Sequence, residues 1–363
     1  MTKSTLNIIL FPSPGSNSLF APDQSGTLIQ NYKFNKSLTV DLINSDDILR
    51  QHVPINYVST CEAVVVDSSS HPYIKPTLDF LEPLGLLQPT TVLTGYYDNH
   101  LPTWVYFSFY FIQANASDSD NSRSEHYKKL SNNFFKLDKT YTFSCLNKNL
   151  KLERIWFYSK LHQQDFFNQT LTSFYTTDNV GQTMSNDYLK SNLDSETYNY
   201  FINTIYPTLP HGTPHDIITA QQHHPGYFTR DIQHPAFSDA YVNIISEHLY
   251  QECFLSEKTV KPIAAEQLFL IAGPPGAIKH LEDMGFDVYR DYIDHDYYDH
   301  EPDWQTRLIK MLEVCTKLNN CDIPLIYNLT KTRRERNREY LFSSTFRDVL
   351  FKPLVDWINR EFP

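Results

Sequence analysis

The stretch that most constrains this chain runs from Tyr241 to Gly276, YVNIISEHLYQECFLSEKTVKPIAAEQLFLIAGPPG. YVNIIS is a compact, β-branched apolar run of strand length, and LFLIAG is a second. Between them lie a loop with Ser256, Glu257 and Lys258 and then a short helix. Pro274, Pro275 and Gly276 end the second strand. Thr259 is the expected N-cap of the helix. It places Pro262 at the third helical position, where the missing N–H costs no intrahelical bond. In an open α/β sheet, ligands bind at the carboxyl ends of strands, beside helix N-termini. Glu247 and His248 end the first strand, and Glu257 and Lys258 lie on the same rim. A helix N-terminus next to a Lys favours an anion such as a diphosphate. A neighbouring carboxylate can accept hydrogen bonds from ribose hydroxyls. The competing reading is a surface loop with an ordinary Glu–Lys pair, and such pairs are common.

This stretch resembles the donor-binding core of the α1,3-fucosyltransferases, family ten of the glycosyltransferases. Their pattern is a strand ending in Phe-Glu-Asn, a loop, then Thr-Glu-Lys opening a helix with a basic residue one turn in. Ile245-Ser246-Glu247-His248 stands at the first part, Ser256-Glu257-Lys258 at the second, and Lys261 at the basic helix position. His248 replaces the Asn, and Pro262 is a departure early in the helix. Phage-type uncharacterised proteins with a similar SEKT-x-KPI segment look similar as well. Upstream, TYTFSCLNKNLKLERIWFYSKL resembles the family's first donor-domain strand, turn and Arg-headed helix. The resemblance covers roughly 140–294. It implies two Rossmann-like domains facing a cleft, a GT-B-like arrangement, with the donor in the C-terminal domain. It also implies inversion at the sugar carbon and a GDP-sugar donor. Arg154, Lys258 and Lys261 would then meet the diphosphate, Glu257 the ribose, and Glu247 the sugar or its diphosphate, with His248 beside them.

The rest of the chain divides around that half. At 363 residues the chain is long for one core, and two domains are expected. LNIILF, Leu38–Leu42, Ile55–Ser59, AVVVD (63–67) and TTVLTG (from Thr90) read as strands, with helical spacing over 76–86. Strand, helix, strand suggests a parallel α/β unit. The aromatic run WVYFSFYFI (104–112) reads as a buried strand. NASDSDNSRS (115–124) suits a linker. We therefore expect an N-terminal α/β domain over 1–135, a donor-binding domain over 136–330 and C-terminal helices over 331–363. Within these, 286–289 reads as a short strand, and TRRERNREY (332–340) as a solvated basic face.

Charge and composition narrow the chemistry. A formal net charge of −11 disfavours binding to bare nucleic acid, because phosphate contacts need a basic surface. No apolar run approaches the ~20 residues of a membrane helix, and the early run Leu6–Phe11 is too short for a signal segment. The five cysteines are odd in number and lack CxxC spacing. They read as free thiols of a reducing, cytoplasmic compartment. His211, His215, His223, His224 and His234 match no metal-ligand spacing. Asp294-His295-Asp296 sits in a dense acidic run, DYIDHDYYDHEPD, which reads as a solvated loop. No divalent metal is required if Arg and Lys supply the charge for the leaving group.

An acceptor hydroxyl needs a general base, usually a carboxylate. Asp98, just past a strand end, is the first candidate, and Asp67, at the end of AVVVD, is the second. The expected activity is transfer of a sugar from a nucleotide-sugar donor to a glycan hydroxyl. Two alternatives stay open. One is a glycosyltransferase with another donor or a modified nucleic-acid acceptor. The other is a nucleotide- or glycan-binding protein without catalysis.

Overall fold

The computed structural model describes residues 4–12, 38–44, 63–67, 91–94 and 104–106 as backbone. It also describes 111, 127–128, 130, 132–147, 151–174, 185–209, 232, 234–247, 250 and 255–361. Contacts divide the chain into two compact units. One comprises 1–124, 252–254 and 342–363, and the other 125–251 and 255–341. Each contains an all-parallel sheet.

In the first unit, β1 (Ser4–Pro12), β2 (Leu38–Asn44), β3 (Ala63–Asp67), β4 (Thr91–Thr94) and β5 (Trp104–Tyr106) lie in the order β2-β1-β3-β4-β5. The order reverses between β1 and β3, where Pro12 pairs with Asp67 at the carboxyl ends. Within the aromatic run, Trp104–Tyr106 is strand and Phe111 is helical. The strand expected at 55–59, the helix at 76–86 and the 115–124 segment lie outside the described residues.

The second unit holds β6 (Tyr141–Leu146), β7 (Thr170–Ser173), β8 (Ala240–Ser246) and β9 (Leu268–Ala272), ordered β7-β6-β8-β9. Every residue of β8 and β9 is buried, as a parallel sheet covered on both faces demands. The polar side chains this buries are paired. Asn243 donates to Ser144 and Gln267, and Gln267 donates to the carbonyls of Ala236 and Ala240. Helix α1 (Leu152–His162) leads from β6 to β7. The segment 185–209, which has no clear sequence pattern, forms α2 (Asn186–Asn192), α3 (Ser195–Tyr200) and tighter or wider turns. A single turn, α4 (Pro235–Ser238), is capped by His234, whose Nδ1 accepts from the Ala236 N–H. Helix α5 (Glu257–Ala264) leads from β8 to β9. The two crossovers leave the β6–β8 pair in opposite directions, so the crevice at its carboxyl end is the unit's topological switch point.

Past β9 the chain is helical: α6 (Ala277–Asp283), α7 (Asp296–Asp299), α8 (Trp304–Asn319), α9 (Ile323–Leu329), α10 (Lys331–Leu341) and α11 (Ser344–Glu361). No helix among the described residues is long and apolar enough to cross a membrane. Three expectations are corrected here. Residues 286–289 form no strand, because Gly285 at φ 97° and Tyr289 at φ 61° turn the chain at both ends. The basic stretch of α10 is not a solvated face. Arg334 is buried, lies 3.4 Å over the Tyr327 ring and donates to the carbonyls of Glu266 and Tyr327. Arg338 donates to the Ala264 carbonyl, so cations close the otherwise open C-terminal end of α5. The acidic run is not simply solvated either, since Asp299 and His295 are buried within it.

His295 shows why its imidazole stays neutral. Nε2 lies 2.8 Å from the Val288 carbonyl and must donate to it. Nδ1 lies 2.8 Å from the Tyr298 hydroxyl, which itself accepts from the Ile271 N–H and so gives its proton to the ring. Burial pushes His295 down to about 3 and His280 down to about 4. An unfolded chain takes up these protons near pH 6.5, whereas the folded chain does not. Stability is therefore full above pH 6.5 and falls as the pH drops toward 4. For His280 alone the loss is about 3 kcal/mol. Urea midpoints measured from pH 7.5 to 4 should fall less steeply in His280→Asn than in the parent chain. Parallel slopes would contradict this.

Candidate functional site

Three helix N-termini follow the carboxyl ends of β6, β8 and β9, and they differ in what fills them. Helix α6 begins at Gly276, in the left-handed region at φ 76°, and is capped from a distance. The buried Asp299 carboxylate accepts from the N–H groups of Ile278 and Lys279. That terminus already holds its anion.

Helix α5 is also capped, but not by Thr259. Ser256 is the N-cap, with its Oγ accepting from the Lys258 N–H. The Thr259 hydroxyl instead donates to Glu247 Oε1 at 2.6 Å. With the helix starting at Glu257, Pro262 falls inside it and removes the bond its N–H would give the Lys258 carbonyl. Glu247 explains why the helix starts early. It is completely buried, and its carboxylate also accepts from the Ser256 N–H at 3.0 Å and the Ser256 hydroxyl at 2.6 Å. Gly273 allows this close packing, because a Cβ there would come within 3.1 Å of the Glu247 Cβ. Glu247 thus welds the end of β8 to the start of α5.

Helix α1 is different. Lys151 at its N-cap position is extended and makes no side-chain capping bond. Cations gather around this terminus. Arg154 is 2% exposed, and its Nη2 donates to the carbonyls of Ser246 and Glu247 at 3.3 and 3.1 Å. Its Nε is buried without a hydrogen-bond partner, as is Oδ1 of Asn147 at the end of β6. Lys258 keeps a side chain 30% exposed, and its Nζ reaches Glu257 Oε1 at 3.1 Å. Lys151 is half-buried. Burial, then the neighbouring charges of Arg154 and Lys258, push its ammonium down to about 7. Three cations therefore converge on the start of α1, whose N-cap residue gives no side-chain capping bond.

The other expected site residues are scattered or lie beyond view. Lys261 is buried one turn into α5, with Nζ 5.7 Å from the centre of the Phe237 ring. Glu257 is the first residue of α5, nearly buried. Asp67 ends β3 of the other sheet. His248, Asp98 and four of the five clustered histidines lie outside the described residues. Asp296 is exposed and pairs with Arg290, away from the buried His295 between it and Asp294. Among the described residues, no group of three His, Cys, Asp or Glu side chains is placed to hold a metal ion. Lys151 was not singled out by the sequence. Its signal is position: it immediately precedes the Arg-headed helix in the segment Lys151-Leu152-Glu153-Arg154.

No protein-family profile matches the chain, and no curated protein does. Among solved structures, the chain is similar to a crystal structure of an α1,3-fucosyltransferase. The TM-score is 0.41 and the identity 10%, over 98% of this chain and 91% of that one. It is also similar to an α-glucosyltransferase in complex with UDP-glucose and DNA containing an abasic site. There the TM-score is 0.43 and the identity 9%, over 98% of this chain and 100% of that one. At these values neither donor nor acceptor transfers to this chain.

The geometry separates two neighbouring carboxylates experimentally. Glu247→Ala strands a buried N–H and two hydroxyls and should lower unfolding free energy by about 3 kcal/mol. Glu257→Ala loses a pair in partial contact with water and should lower it by less than about 1 kcal/mol. Equal losses in urea denaturation would contradict the division of roles.

Proposed function

We propose that this chain is a glycosyltransferase that holds the diphosphate of a nucleotide-sugar donor at the N-terminus of α1. The observation that carries the reading is the gathering of Lys151, Arg154 and Lys258 around the start of α1 at the β6–β8 switch point. Like charges gathered in a partly buried place are costly unless an anion joins them. A diphosphate there would meet the first-turn N–H groups and the ammonium groups of Lys151 and Lys258. Arg154, tied to the carbonyls of β8, supplies fixed charge behind them rather than a free bidentate fork.

The same charge serves catalysis. As the bond from the sugar carbon to the diphosphate oxygen breaks, negative charge grows on the leaving group, and preorganised cations stabilise it. With that charge supplied by side chains, no divalent metal is required. Glu257, at the head of α5, is placed to accept from ribose hydroxyls. Glu247 is assigned to positioning, because its carboxylate already receives three hydrogen bonds. The acceptor is a glycan hydroxyl. Its oxygen attacks the sugar carbon from the face opposite the diphosphate, with inversion. A carboxylate base takes its proton, with Asp98 the first candidate and Asp67 the second. A GDP-sugar is the favoured donor, on the resemblance of the Ser256-Glu257-Lys258 segment.

Two measurements test the reading. In thermal shift against GDP, UDP, CMP, dTDP and ADP, with manganese or EDTA, GDP should raise the melting temperature regardless of EDTA. Lys258→Ala should abolish most of the rise. No rise with any nucleotide would sink the proposal.

The second measurement uses pH. An anion raises the pKa of Lys151 from about 7, so binding takes up a proton. Affinity should be full below pH 7 and fall by up to about tenfold per pH unit as the pH rises toward 9. Lys151→Arg keeps its charge throughout and should flatten the profile. A parent profile already flat from pH 6 to 9 would remove Lys151 from the site.

A further inference from the structure

A second cavity lies at the other end of the same unit. Its volume is about 680 Å³, within the ~300–1,000 Å³ range of small-molecule pockets. The end of α6, the turn 285–291 and one face of α10 enclose it. Its position is fixed by two contacts. Tyr289 packs on Phe269, near the start of β9, at 5.8 Å between ring centres. Arg334 of α10 holds the Glu266 carbonyl, just before β9 begins. The cavity is therefore at the amino ends of the strands, opposite the α1 site.

Its lining chooses the charge of a ligand. Three carboxylates, Glu282, Asp287 and Asp291, face three guanidinium groups, Arg290, Arg333 and Arg336. The net charge is zero, unlike the cationic cluster at α1. Arg333 is shared between two acids. It donates through Nε and Nη2 to Asp287 and through Nη1 to both oxygens of Asp291 at 2.7 Å. Arg290 grips Glu282 with two bonds, at 2.5 and 2.6 Å. Arg336 is exposed and makes no hydrogen bond or ion pair, although its charge acts on Asp287. The carboxylate oxygens of Asp291 retain lone pairs, and both Arg333 and Arg336 retain donors. Such a surface offers fixed donors and acceptors side by side, the pattern that vicinal hydroxyls match. Tyr340 adds a partly exposed ring, held edge-on to Phe286 at 5.4 Å and fixed through its hydroxyl to the Met284 carbonyl. Its ring gives a sugar's C–H face something to pack on.

We infer that this cavity binds a neutral oligosaccharide, at a site separate from the transfer site. An anion gains nothing net from a lining that is already balanced. A purely apolar ligand would desolvate the exposed Asp291 and Arg336 and give Arg336 no partner. A polyol satisfies both. The site would tether a glycan to the unit while another part of the chain acts on it or on its neighbour.

The test uses the full chain and four probes: maltotriose, chitotriose, lacto-N-triose and the acidic sialyllactose. Saturation-transfer NMR and calorimetry are run on the parent chain and on Asp291→Ala and Arg336→Ala. Both substitutions are at exposed positions, so melting temperatures should stay unchanged and report an intact fold. At least one neutral trisaccharide should bind the parent chain. Its affinity should fall about tenfold in each variant, with the nucleotide response at α1 unaltered. Binding of none of the neutral probes at 10 mM overturns the inference. So does neutral binding that both variants retain, or binding confined to sialyllactose. A chain that binds glycan without any nucleotide response would keep this site and refute the transferase reading, so the two proposals fail separately.

Discussion

The buried carboxylate of Glu247 is the interaction on which the second unit turns. It has no access to water, so its oxygens must find their hydrogen bonds among neighbours. Ser256 supplies a backbone N–H and a hydroxyl, and Thr259 supplies another hydroxyl. These bonds fix where α5 starts and therefore where Lys258 emerges. They also bring the backbone of β8 to Arg154, which binds the carbonyls of Ser246 and Glu247. One buried side chain thus joins a strand end to a helix start. Gly273 is required beside it because there is no room for a side chain.

The remaining helices pair most of their charges among the described residues. Asp299 fills the N-terminus of α6. Arg334 and Arg338 fill the carbonyls at and beyond the end of α5. Arg290 and Arg333 are neutralised by Glu282, Asp287 and Asp291. At the start of α1, by contrast, Lys151, Arg154 and Lys258 lie close together, and Lys258 pairs with Glu257.

Much of the architecture was legible in the sequence. The runs AVVVD, YVNIIS and LFLIA are apolar over their whole length, and each is a strand of a parallel sheet. The site was legible in part. Ser256, Glu257, Lys258 and Arg154 are brought to the switch point from segments about a hundred residues apart. Lys151 was not legible, because one lysine before a helix carries no pattern. The roles of Glu247 and Thr259 were not legible either. A threonine twelve residues after a glutamate gives no hint that their side chains bond to each other.

The sequence by itself determined which segments are strands and helices, since periodicity and β-branching act over a few neighbouring residues. It also marked the segments after β6 and β8, since both runs end in polar residues with a following helix. Only the tertiary structure decided which charges are spent and which are left. The arginines of α10 and the acids of 287–299 look alike in sequence, as solvated charges. Their environment differs because helices distant in the chain pack over them, and burial forces each charge to find a partner or a hydrogen bond.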